Sequence, residues 1–502
     1  MASEQGDGQS LRKGRLGVAG IVFFVVAAAA PLLGMTGAVP IAMFLGNGAG
    51  TAGTYLAVGL VLLVFSVGYG AMSQKVTNTG AFFAYVGRGL GPKAGVASAF
   101  ASLVGYITIQ LAIYGFFGGV ASFTFNGVGT NWWIYAIVAW VLVTGLSLLS
   151  VDVGAKVLGG LMILELLSLI VTAIAVFVNN GAHIDLAASF SPSNIIAGGF
   201  SGGAGIAIAF AFASFIGFEA TAIYGEESKD PKRTVPKATY WAIGIITGLF
   251  AFVSLAMATG MSGHKDGIGG YIAEFGALDP KVGLTNPAGV LYSLADSNLG
   301  GTWMSTIMSY LVLTSCFAGL LAFQNSIARY FFALGRSGVF SKRLGETNAS
   351  GAPTRGVVLT SAIAIVVIVA FQSLGLDGIG NLFTWMSAVT AVAIMFVEIL
   401  VSIAIVVFLG KDATVSKWKS TIAPLISVVG LSLGVYLLMS RFGLLGNLAP
   451  AGVDPTSEAG NWQLTPFGWF LVLLPFIAAG LGLIVAQVRN IHHTKMVDDV
   501  LS

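Results

Sequence analysis

The chain has 502 residues, of which 56% are hydrophobic and only 9% charged, with a net charge of +3 and a mean hydropathy of +0.89. Soluble domains carry about 25% charged residues, so the composition excludes an ordinary soluble enzyme and reads as a polytopic all-α membrane protein. The small positive charge gives no support to a nucleic-acid partner, because basic residues in a membrane chain gather in the cytoplasmic loops.

Residues 1–15 form a polar tail that ends in Arg12, Lys13 and Arg15, followed by an apolar segment of nearly 30 residues. That segment is too long for the core of a signal peptide. Twelve spans are expected, near 17–44, 52–72, 95–124, 132–150, 155–178, 201–226, 236–261, 303–334, 355–374, 381–409, 420–440 and 466–488. With both termini inside, the outer loops hold only Lys265, Lys281 and Arg441, which leaves 21 of the 24 basic residues on the inner side. A bias of that size predicts cytoplasmic termini. The longest outer loop, roughly 262 to 299, has modest charge and several glycines and reads as a solvated connector.

The single Cys316 lies in an apolar run, which excludes an intramolecular disulfide and reads as a small packing residue. The four histidines, at 183, 264, 492 and 493, fall in expected loops and tails without forming a ligand cluster. Neither a metal nor a cofactor is expected. The glycine-rich run Gly198 to Gly205 follows no strand and leads into no Gly-Lys-Ser/Thr, so a phosphate-binding loop is excluded on context.

The first and sixth spans share an oddity. The first carries Pro31, Gly34 and Gly37 in mid-span, and the sixth carries Gly202, Gly203, Gly205 and Gly217. Helix breakers at matching positions of two five-helix halves point to an inverted-repeat transporter with its site between interrupted helices. The plainer alternative is that such residues only kink a helix or let neighbours pack closely. The sixth span also holds Glu219 at membrane depth, where a carboxyl is costly enough to suggest a function.

The run Phe215-Ile216-Gly217-Phe218-Glu219, with Gly225-Glu226-Glu227-Ser228-Lys229-Asp230-Pro231 and Pro236 after it, resembles the sixth-helix signature of the amino acid–polyamine–organocation (APC) permeases. Asn78-Thr79-Gly80-Ala81-Phe82-Phe83-Ala84-Tyr85 with Gly89-Leu90-Gly91 is similar to the family's segment between its second and third helices. Arg329 to Gly338 with Phe340 is similar to its loop after the eighth. The resemblance implies twelve transmembrane helices: a five-plus-five inverted repeat (LeuT-like) with broken helices 1 and 6, plus two extra helices. The corresponding division is a tail at 1–15, a transport core at 16–410, helices 11 and 12 at 411–489, and a tail at 490–502.

On that frame the substrate site lies where spans 1, 3, 6, 8 and 10 converge. Ala30, Pro31, Gly34, Thr36 and Gly37 on the first span and Phe215, Ile216, Gly217 and Phe218 on the sixth form a cradle. Half-helix N-termini attract a carboxylate, and carbonyls of unwound backbone suit an ammonium. Tyr106, Gln110 and Trp385 are candidate side-chain contacts, although aromatics and isolated amides also serve packing. The resemblance places Glu219 just after the unwound segment, where some members use the equivalent acid for proton coupling or gating. A structural acid held by backbone donors is the alternative. Glu165 stands near where some members have a lysine, thought to replace a sodium ion, and an acid there is a second candidate for a proton or a cation. Thr314 and Ser315 offer hydroxyls for such a sodium site, though hydroxyls commonly bond back to their own helix. Glu398 is a weaker candidate, expected either near the cytoplasmic end or paired within the bundle.

These readings combine into a secondary transporter that imports an amino acid or related amine across the cytoplasmic membrane by alternating access and proton coupling. A substrate exchanger, sodium symport and a polyamine substrate stand as alternatives within transport. A membrane nutrient sensor is less well matched, because the tails are too short for a signalling domain. A channel would want a continuous polar lining, and an enzyme would want a paired nucleophile and base. The small apolar residues around the cradle favour a zwitterionic, largely neutral substrate, and the sequence leaves the oligomeric state open.

Overall fold

The computed structural model describes residues 17–76, 81–149, 155–219, 221, 228–348, 352–446 and 448–489. The motif residues Asn78, Thr79 and Gly80, the acids Glu226 and Glu227, and both tails with His492 and His493 lie outside the described residues. Backbone groups in hydrocarbon find no water to bond, so an apolar chain of this kind satisfies them within helices. Among the described residues nine helices are long and apolar enough to cross a bilayer. The number is ten if the pair Pro192–Ser201 and Ala204–Phe215, bent by 118°, is one crossing.

Helix α1 (Val18–Ala28) stops in mid-span, and α2 (Pro31–Leu33) restarts the path and runs on through wide π turns to Asn47. There follow α3 (Thr51–Ser73), the short α4 (Ala81–Leu90), the 35-residue α5 (Pro92–Asn126), α6 (Trp132–Leu148) and α7 (Ala155–Asn180). Next come α8 (Ala204–Phe215), α9 (Pro231–Ser262), α10 (Gly267–Phe275), α11 (Ala288–Leu299) and α12 (Trp303–Arg336). The last are α13 (Thr354–Ser373), α14 (Thr384–Leu409), α15 (Ala423–Ser440) and α16 (Pro466–Val488).

Sequence punctuation sets the ends. Pro31, Pro92, Pro231 and Pro466 open their helices at a position where a missing N–H costs nothing. The Asp377 carboxylate accepts from the amides of Ile379 and Gly380 and caps the turn that leads into α14. Helix α5 lies at the centre, touching α4, α6, α12, α14 and α16.

The segment near 262–299 differs from the solvated outer connector expected of it. It folds into α10, a two-residue hairpin pairing Leu278–Asp279 with Gly283–Leu284, and α11. Ala288, Val290, Leu291, Leu294 and Ala295 are buried against α7, α12 and the π turns of the first span. Its apolar residues recur at helical spacing, so the segment can bury one face while its glycines and charges stay outside. Arg441 is likewise no free loop charge. It is buried, and its guanidinium donates to the carbonyls of Ser457 and Thr456 and to Asn461 Oδ1, tying the connection from α15 to α16. At another connection Lys75 pairs with Asp412 at 2.9 Å. The Thr414 hydroxyl and then Lys75 hold the Asp412 carboxyl well below the usual carboxylate range.

Candidate functional site

The interruption in the first span is a backbone event. Ala30 sits at φ 44° and ψ 69°, a left-handed conformation that costs an L-residue about 1–2 kcal/mol. Among the described residues no amide reaches the carbonyls of Ala28 and Ala29, and the amides of Leu32 and Leu33 donate to no carbonyl. Helix α8 ends at Phe215, and the chain then turns at Gly217, whose φ of 117° is accessible to glycine and strained for any other residue. A side chain there would also press to 3.1 Å from the Ala28 methyl, so the two interruptions lie against each other.

Between them is a small cavity of about 20 Å3. Ala28, Ala29, Ala30 and Leu33 form one wall, and Ala213, Ser214 and Ile216 form the facing one. Ile109 and Ile113 of α5, Phe323 of α12, and Phe383 and Ser387 at the start of α14 complete it with Ala38. All but Ala213 are buried. The side-chain lining offers two hydroxyls. Ser214 donates to the Phe210 carbonyl and meets the Tyr55 hydroxyl at 3.0 Å, whereas Ser387 Oγ has no partner among the described residues. The cavity therefore combines an apolar shell with open amides at one helix restart and open carbonyls at one helix stop. That polarity matches the carboxylate and ammonium of a zwitterion.

The candidates named from sequence separate into groups. Ala30 and Ile216 line the cavity. Pro31, Gly34, Thr36 and Gly37 stand one layer behind it: the Thr36 hydroxyl bonds back to Leu32 O, Gly34 abuts Phe250, and Gly37 abuts Phe116 and Phe383. Phe215 packs on Tyr55 and Phe250, and Phe218 on Phe65 and Tyr69. Gln110 donates to Gln324, which continues to Val357 O and Ser361, so the amide joins three helices. Trp385 does not line the cavity. Its indole N–H donates to Gly446 O, and its ring packs on Phe371 and Phe467. Two residues along a helix is a rotation of about 200°, and it is Ser387 that faces the cavity instead. Ile109 and Ile113, one turn apart, carried no signal that distinguishes a cavity wall from any other packed face.

The acids are also placed. Glu219 is fully buried, and its Oε2 accepts from the Gly217 amide at 2.9 Å. Tyr69 donates its hydroxyl to the Glu219 main-chain carbonyl at 3.0 Å, and Tyr106 faces the carboxyl, although neither Tyr106 Oη nor Glu219 Oε1 closes a hydrogen bond of good geometry. Tyr106 thus belongs to the acid's surroundings and does not line the cavity. Glu165 is buried on α7, with Ser315 and Cys316 of α12 beside it. Thr314 bonds back to Leu311 O at 2.8 Å, and the Ser315 hydroxyl stands against the Glu165 carboxyl.

A multi-pass helical membrane protein with an apolar cavity at two helix interruptions is the class that fold and site define. The chain belongs to the amino acid permease family, whose model matches residues 30–481. It is 28% identical over 402 residues to the branched-chain amino acid permease BcaP of Lactococcus lactis subsp. cremoris, covering 76% of this chain and 80% of that protein. It is 26% identical over 434 residues to the aromatic amino acid permease FywP of the same organism, covering 80% of this chain and 87% of that one. In fold it is similar to the manganese transporter of Eremococcus coleocola, with a TM-score of 0.59 over 97% of this chain and 99% of that chain at 14% identity. This likeness concerns the fold alone.

Proposed function

We propose that the protein is a secondary transporter that carries a zwitterionic, largely neutral amino acid across the cytoplasmic membrane by alternating access, coupled to protons through Glu219. The observation that carries this reading is the buried cavity at Ala28–Ala30 and Ala213–Ile216, apolar in its side chains and polar only in its open backbone groups and two hydroxyls. The amino acid substrates in the names of BcaP and FywP agree with it. Uptake of labelled amino acids into proteoliposomes, with and without a pH gradient, tests it. Absence of uptake for every neutral amino acid would remove it.

The same reading divides the chain into twelve crossings, a five-plus-five repeat at 16–410 with helices 11 and 12 at 411–489. The 56-residue apolar stretch Val18–Ser73 then counts as two crossings, and the 17-residue Trp132–Leu148 and the bent pair Pro192–Ser201 with Ala204–Phe215 as one each. The distribution of basic residues supports cytoplasmic tails at 1–15 and 490–502. Lys229 and Lys265 are exposed, and the native Cys316 is buried. Single cysteines at Lys229 and Lys265 are therefore expected to react with a membrane-impermeant reagent from opposite sides, and labelling of both from outside intact cells would overturn the map.

A sodium-coupled version has one observation in its favour, the buried Glu165 with the Ser315 hydroxyl against it. It requires that uptake rise with external sodium and that Glu165→Gln abolish the rise. Full-rate uptake in sodium-free buffer under a proton gradient would exclude it.

A further inference from the structure

Ser387 lies on α14, 1% exposed, and its hydroxyl has no hydrogen-bond partner among the described residues. A serine or threonine inside a helix commonly returns its hydroxyl to a carbonyl about one turn back. The hydroxyls three residues to either side do so, Thr384 to Ile379 O and Thr390 to Met386 O. Other buried hydroxyls also lack partners, but among the described residues Ser387 is the only one of them that lines the cavity. Ser214, the second hydroxyl of the lining, is already bonded to Phe210 O and to Tyr55.

The two helix interruptions offer open backbone groups to the carboxylate and ammonium that every amino acid shares. The side chain is then left with the walls from α5, α12 and α14, which are Ile109, Ile113, Phe323, Phe383 and Ser387. On those walls Ser387 Oγ is the one polar side-chain atom. The space is also tight. Phe383 is held by Phe116 at 4.8 Å and Phe210 at 6.2 Å between ring centres, and about 20 Å3 is room for about one water. Walls packed this closely resist a bulky side chain. A buried hydroxyl left without a partner is unfavourable, and a ligand that pairs it recovers the loss. A site that bonds a substrate hydroxyl rejects the analogue lacking it, whereas a wholly apolar pocket separates the two poorly. We propose that Ser387 is a specificity-determining residue whose hydroxyl bonds a hydroxyl on the substrate's side chain, so that the preferred substrates are the small hydroxyl-bearing amino acids, serine and threonine. This rests on the neutral amino acid reading above and names the side chain within that class. A hydroxyl both donates and accepts, so Ser387 meets a substrate hydroxyl in either sense.

Competition for uptake in proteoliposomes tests this with two near-isosteric pairs, threonine against valine and serine against 2-aminobutyrate. In wild type the hydroxyl-bearing member of each pair should be favoured about tenfold. Ser387→Ala removes a hydroxyl that holds no bond within the protein, and it should bring both ratios to about one. Equal affinities within each pair in wild type, or a preference for the apolar member, overturn the proposal. A preference that survives Ser387→Ala overturns the assignment to Ser387. So does a variant that loses affinity for both members of a pair alike, because the hydroxyl would then serve the groups all amino acids share. If Ser387→Ala does not insert, Ser387→Cys, of similar size and a weak donor, should narrow the same ratios, and unchanged ratios overturn the proposal. Uptake of no neutral amino acid at all instead overturns the reading on which the proposal rests.

Discussion

Glu219→Gln should abolish proton-driven accumulation while leaving the protein folded and able to equilibrate its substrate. The amide keeps the size of the side chain and an oxygen to accept from the Gly217 amide, so the turn at φ 117° survives. It has no proton to release. A gradient of one pH unit is worth about 1.4 kcal/mol, which through one coupled proton sustains about tenfold accumulation of substrate. That factor is what the variant should lose, together with most of the pH dependence of the initial rate. Counterflow at equal pH on both sides should persist and serves as the control for folding. A well-inserted variant that accumulates substrate as wild type does would make Glu219 structural and move attention to Glu165.

Neutral amino acids should displace a bound tracer at least a hundredfold better than putrescine or spermidine. The cavity offers one set of open carbonyls at Ala28 and Ala29, enough for one ammonium, and its other side chains are alanine, leucine, isoleucine, phenylalanine and two serines. A second ammonium enclosed there finds no acid. The effective penalty for burying an unpaired ion is several kcal/mol, and each 1.4 kcal/mol is a factor of ten in affinity. Glu219 does not line the cavity, so it is not offered to a distal charge there. Strong inhibition by polyamines with none by neutral amino acids would reverse the assignment and point to Glu165 or Glu398 as the partner of the second cation.

The sequence by itself determined the class and most of the helix positions. Hydrocarbon leaves a backbone no partner but itself, so apolar runs of sufficient length declare themselves: the spans expected at 303–334 and 466–488 are the helices Trp303–Arg336 and Pro466–Val488. It also singled out Pro31, which opens α2, and Gly217, which sits at φ 117°, because both bear on backbone conformation directly and need no neighbour to be read. Which faces meet at those interruptions was decided by tertiary structure alone. Trp385 stood out for its chemistry, yet Ser387, two residues on, faces the cavity, and no periodic signal on an all-apolar helix separates the two. Helices that are apolar on every side leave their orientation to close packing against neighbours.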